Sequence, residues 1–259
     1  MESEPARSDR LAKEAIEAIN AGDNITARQR LEECMAIRKS LGDDIGIAKT
    51  LTNLGIVDLQ EGDEIGAKEK WEQSLVMHRT RNNPQGMLRS LCNLIGVAYR
   101  QGDYTVMRTL EEQSVALVRE GDDRQYLARS LDSLALATIY EHDYDYARTV
   151  QRESLAIKRE LGLDKQMPFT LNLCADIAMA TRDFERGAIF YRAYQKQCAL
   201  LELPQREKES QQIVAKLADL QSMLGEAAYQ SAYSIGEGMT LEQCIAAAAE
   251  FCKASNGNA

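Results

Sequence analysis

Apolar residues recur along the chain at helical spacing, and the pattern itself repeats. One stretch carries Leu51, Leu54, Gly55 and Leu59. The same places are held by Leu91, Leu94, Ile95 and Tyr99, and then by Leu131, Leu134, Ala135 and Ile139. Residues three and four apart share one face of a helix, so each set is the buried stripe of an amphipathic helix. A second stripe follows each first one: Ala67, Trp71, Ser74 and Leu75, matched by Ala27, Leu31, Cys34 and Met35 and by Ala147, Gln151, Ser154 and Leu155. Between the two stripes lies a turn marked by Asp23, Asp63, Asp103, Asp143 and Asp183, each 40 residues after the last. Gly22, Gly62 and Gly102 precede their Asp. Glycine takes the left-handed conformation that closes a helix, and the Asp accepts from the free N–H groups that open the next. His142 and Arg182 replace that glycine in later copies, which predicts strained turns there.

A repeat of this length means stacked helical hairpins, because one hairpin cannot bury both of its faces. The pattern predicts helix pairs at 7–20 with 24–40, 45–60 with 64–80, 84–100 with 104–120, 124–140 with 144–161 and 166–181 with 184–202. A sixth pair is expected at 205–224 with 226–235. A loop at 235–239 and a last helix at 241–254 follow, the latter opened by a capping box of Thr240 and Gln243. The expected organisation is a frayed 1–6, a single domain over 7–254 and a disordered tail at 255–259. The units within it are 7–42, 43–82, 83–122, 123–163, 164–203 and 204–236, with the cap at 240–254.

The quoted residues resemble the tetratricopeptide repeat. Asn53-Leu54-Gly55, Gly62-Asp63, Ala67 and Trp71 follow its pattern, as do Gly102-Asp103-Tyr104 and Asp143-Tyr144-Asp145-Tyr146-Ala147. That resemblance implies an all-α fold: a right-handed superhelical solenoid of about six helix-turn-helix units with a C-terminal capping helix. At 40 residues the unit exceeds the family's usual length of about 34. The Glu-Gln-Ser-Leu at 72–75, the Glu-Ser-Leu at 153–155 and the ending at 232–246 resemble the C-terminal sensor solenoids of bacterial STAND-type ATPases and of LuxR- and maltose-regulator-type activators. The resemblance implies non-enzymatic binding of a peptide or protein in a concave groove. Self-association of a structural domain with an empty groove is the alternative. A phosphate-binding loop and a helix-turn-helix reader, which the full-length regulators carry, are absent from the sequence.

Composition narrows this further. A net charge of −9 over 259 residues argues against direct nucleic-acid binding. No stretch is apolar enough to span a membrane. The six cysteines, at 34, 92, 174, 198, 244 and 252, lack zinc spacing and read as reduced core residues of a cytoplasmic protein. The opening MESEPARSDR has no apolar signal core. No nucleophile–His–carboxylate set and no metal-ligand spacing occurs, so neither catalytic residues nor a cofactor or metal is expected. Gly236-x-Gly238 lacks the leading strand of a phosphate site and reads as a link to the cap. Lys39, Arg79, Arg119 and Arg159 form a ladder at helix C-termini, which the macrodipole favours. His78 stands one place before that ladder. Asp58 falls on the packed face and needs a partner.

The candidate site is the groove lined by the first helices. In register it presents Lys49, Arg89 and Arg129, then Asn53, Asn93 and Ser133 one turn on. Arg100, Tyr140 and Tyr99 lie near the helix ends, and Asp132 and Asn172 toward the C-terminus. Cations in line on an acidic chain, each with an amide or hydroxyl a turn away, suit a carboxylate-bearing, acidic peptide or protein.

Overall fold

The computed structural model describes residues 2–204 and 207–253. These residues form helices and turns, with no strand among the described residues. The chain divides into two compact units, Met1–Leu117 and Val118–Ala259, rather than the single domain expected. Stacked repeats gain their stability from nearest neighbours, so a boundary can fall inside a periodic array.

The first unit contains α1 (Glu4–Ala21), α2 (Asn24–Leu41), α3 (Asp44–Gln60), α4 (Glu64–Thr80) and α5 (Pro84–Gln101), together with most of α6 (Tyr104–Arg119). The caps follow the chemistry anticipated. Asp23, Asp63 and Asp103 accept from the N–H of Thr26, Gly66 and Val106 at 3.1, 2.9 and 3.1 Å. A second column of caps, Asp43 and Asn83, opens α3 and α5 in the same way. The start of the chain corrects the expected frayed 1–6: Ser3 caps α1, which is helical from Glu4. Met1 lies outside the described residues. Trp71 of α4 is 1% exposed and packs with Ala67, Leu75, Leu91, Leu94 and Val97. Its indole N–H donates to the Thr52 carbonyl at 2.9 Å, and a Cβ on Gly55 would approach Nε1 to 2.5 Å. Gly55 is therefore the small residue that admits the ring.

The second unit contains α7 (Arg124–Tyr140), α8 (Tyr144–Leu161), a short 3₁₀ turn (Asp164–Gln166), α9 (Met167–Ala180), α10 (Phe184–Leu200), α11 (Glu207–Leu224), α12 (Glu226–Gly238) and α13 (Leu241–Phe251). His142 and Arg182 take φ of 63° and 61° in the left-handed region, as their place in the repeat required. A side chain there costs on the order of 1 kcal/mol.

The C-terminal end differs from expectation in two ways. The segment read as a loop at 235–239 is helical as far as Gly238, because Gly236 abuts the backbone of α10: a Cβ there would meet the Ile189 carbonyl at 2.5 Å. The last helix, opened by the Thr240–Gln243 capping box, packs on α8, α9 and α10 instead of covering the sixth pair. Cys244, Ala248 and Phe251 join the core there, and Phe251 meets Phe190 edge-on at 5.4 Å with the Arg148 guanidinium 4.9 Å over its ring. The tail at 255–259 lies outside the described residues, as does the last residue expected in the cap helix.

Candidate functional site

Helical phase decides which polar groups of the repeat face each other. In the first unit, Lys49 and Asn53 stand one turn apart on α3, and Arg89 and Asn93 stand one turn apart on α5. The two pairs line one cavity of about 410 Å³. Four of the expected site residues are therefore brought together. Ala12, Ile16 and Ile56 give the cavity an apolar side, and Arg38 and His78 also reach its wall. The wall holds these four basic residues and no carboxylate.

Two of the four are committed or neutral. Arg38 is buried, donating to the Gly46 carbonyl at 3.0 Å and to Thr50 Oγ1 at 2.9 Å, and pairing with Asp9 at 3.2 Å. His78 is 1% exposed. Burial, and then the charges of Lys49 and Arg89, hold its imidazole below the ordinary value. Asn83 Oδ1 accepts from the Gly86 N–H, so its amide nitrogen donates to His78 Nδ1 at 3.1 Å. This assigns the remaining proton of the neutral ring to Nε2. Lys49 and Arg89, by contrast, are exposed and make no ion pair among the described residues.

Arg129 lies in the second unit, where it lines a cavity of about 530 Å³ with Ser133, Lys165 and Phe169. Asp132 corrects the expectation of an available groove carboxylate. It is buried at the edge of that cavity, accepts from Ser154 Oγ at 2.6 Å and pairs with Lys158, which is itself wholly buried and donates to Thr170 Oγ1 at 2.8 Å. Burial pushes the Asp132 carboxyl up, and Lys158 opposes that shift. Tyr99, Arg100, Tyr140 and Asn172 line neither cavity. Arg100 pairs with Glu64 at 3.4 Å, and Tyr99 stacks edge-on with Tyr104. Asp58 is buried between Arg28, at 2.8 Å, and Lys70, which makes it a counter-ion internal to the fold.

Arg38 and His78 are wall residues that sequence reasoning missed. Arg38, His78 and Lys158 occupy the same offset of the repeat, and Thr50, Ser90 and Thr170 occupy the offset twelve residues later. A basic column paired with a hydroxyl column was a readable signal of inward-facing polar groups. Cys92 also departs from expectation, being exposed on the cavity wall while the other five thiols are buried. No group of three His, Cys, Asp or Glu side chains suited to a metal occurs among the described residues. None of their helices is long and apolar enough to cross a membrane.

Paired helices repeating every 40 residues, with caps at matching offsets, define a solenoid of helical repeats. No protein-family model matches the sequence, and no curated protein matches it. Solved structures do match. A Podosopora anserina protein described as a kinesin light chain with nearly identical TPR-like repeats is 19% identical, over 88% of this chain and 100% of that one, at a TM-score of 0.55. BtubC (BKLC) from P. vanneervenii is 13% identical over 80% of this chain and 95% of its own, with a TM-score of 0.54. PilF of Pseudomonas aeruginosa is 16% identical over 89% and 98%, with a TM-score of 0.54. At these identities the likeness is one of fold, and the fold is a TPR-like repeat solenoid.

Proposed function

We propose that the chain is a non-enzymatic binding module whose first-unit cavity takes an acidic, carboxylate-bearing segment of a peptide or protein. One observation carries this: two exposed cations outside any ion pair among the described residues, Lys49 and Arg89, and no carboxylate line one cavity of a chain whose net charge is −9. Such a local reversal of charge selects acidic partners and speeds their encounter. Lys49 and Arg89 supply exposed charges, Asn53 and Asn93 supply amide donors one turn away, and the apolar side takes an aliphatic group beside the carboxylate. TPR-like folds generally serve as protein-interaction scaffolds, which agrees with this assignment. The finer role, a ligand-sensing repeat domain of a bacterial signalling ATPase or transcription regulator in the cytoplasm, is supported by the sequence resemblance.

The double substitution Lys49→Glu with Arg89→Glu is expected to weaken binding of an acidic peptide by about 100-fold, since it sets like charges against the ligand, which costs several kcal/mol. The melting temperature should hardly move, because both side chains are exposed. Calorimetry at low salt checks this. Undiminished affinity would remove the cavity as the site.

A further inference from the structure

His78 is the buried basic residue of the α3–α4 repeat, at the offset that Arg38 and Lys158 hold in other repeats. It lies on the wall of the first-unit cavity, with Lys49 contributed by α3 and Arg89 by α5. The other charged or titratable groups on that wall are Arg38 from α2 and Cys92 from α5, and α1 contributes only Ala12 and Ile16. Asp9 of α1 is engaged by Arg38. No carboxylate of the wall offsets the cations. The fold also makes room for the ring: a Cβ on Gly86 would run into the imidazole, so this position of α5 has to be glycine.

We propose that His78 is a proton-linked specificity residue of this cavity: an acidic ligand held by Lys49 and Arg89 is also held by the imidazolium, so binding takes up a proton and tightens as pH falls. This rests on the acidic-partner reading of the cavity and adds to it a condition of recognition.

In the free protein, two cations and burial oppose protonation of His78. Protonation would also turn Nδ1 into a donor facing the Asn83 amide nitrogen, which now donates to it. A bound carboxylate offsets the charge of Lys49 and Arg89, and the imidazolium then gains an anionic partner. Linkage makes the effect reciprocal: whatever raises the proton affinity of His78 on binding raises the ligand affinity by the same factor on acidification. Carboxylates of a peptide stay ionised from about pH 6 to about pH 8, so the ligand does not change its own charge in that window.

The folded-state value of His78 lies below its unfolded value, so the unfolded chain binds more protons as pH falls through the ordinary histidine range. The free protein therefore loses stability through this group on acidification. A ligand that permits protonation in the folded state removes that loss, so its stabilising effect is larger at about pH 6 than at about pH 8.

The test uses the full chain and N-acetyl tetraglutamate with a free C-terminal carboxylate. Calorimetry at about pH 8 and about pH 6 should show affinity rising roughly tenfold, the change that one pKa unit of linkage gives. Repeating the titration in buffers of different ionisation enthalpy should show proton uptake on binding. His78→Gln should bind with little pH dependence. The chain has two histidines, His78 and His142, and His142 is exposed in a turn, so imidazole NMR of the unaltered protein resolves the question without a variant. The peptide should move the His78 titration to higher pH and leave His142 where it is. Binding that is equally tight at both pH values, or a His78 titration the peptide does not move, overturns the proton linkage while leaving the acidic site intact. Absence of binding at either pH overturns the site itself and the linkage with it.

Discussion

Trp71→Ala is expected to destabilise the first unit by roughly 3–5 kcal/mol, the range for emptying a buried indole. The ring is almost wholly buried and touches residues of α4 and α5, and its N–H satisfies the Thr52 carbonyl of α3. Collapse cannot fill the space. Gly55 faces the indole and has no side chain to swing inward, and the helices on either side are held by the Asp43, Asp63 and Asn83 caps. The same offset is a core position as Leu31 on α2 and Tyr191 on α10, while Glu111 and Gln151 make it a buried polar one in the copies between. Denaturant unfolding followed by helical circular dichroism checks the figure. A midpoint shifted by less than about 1 kcal/mol would mean that the indole is not a pillar of the hairpin stack.

Lys158→Met should be comparably costly, at about 3–5 kcal/mol, because it strands the Asp132 carboxylate in the interior of the second unit. Lys158 is wholly buried, and the pair is completed by Ser154 on α8 and Thr170 on α9. The instructive comparison is the double substitution with Asp132→Leu. Removing both charges takes away the desolvation penalty together with the attraction, so the double variant should be more stable than Lys158→Met alone. The hydroxyls of Ser154 and Thr170 then lose a partner, and recovery should be incomplete by roughly 1 kcal/mol for each. Additive losses in this cycle would mean that the two groups do not act as an ion pair.

The parts legible in the sequence are those set by local geometry. A 40-residue period in the Asp caps and a helical period in the apolar residues determine where helices begin, end and face. Lys49, Asn53, Arg89 and Asn93 were found together because steps of 40 and of four residues keep side chains on one face of adjacent repeats. What escaped depended on small angles or on packing. His78 precedes Arg79 by one residue. That single step, about 100° around a helix, separates the exposed C-terminal ladder from the buried column. Asp132 follows Arg129 by three residues, a spacing that places it beside Arg129 in the groove, but its partner is Lys158 on the next helix, a pairing that only the packed hairpin reveals. At the C-terminus, Gly236 and Gly238 read as a loop by propensity. The close approach of α12 to the α10 backbone makes glycine at 236 a packing requirement within a helix, so tertiary context overrides the local preference.

The central claim is that the first-unit cavity recognises a carboxylate. A structure of the full chain crystallised with an acidic peptide tests it most directly. The account predicts a peptide carboxylate within hydrogen-bonding reach of Lys49 Nζ and the Arg89 guanidinium, with the Asn53 and Asn93 amides turned toward the peptide. A peptide bound elsewhere, or the cavity filled by a second copy of the chain in a symmetric dimer that persists in solution, would contradict it.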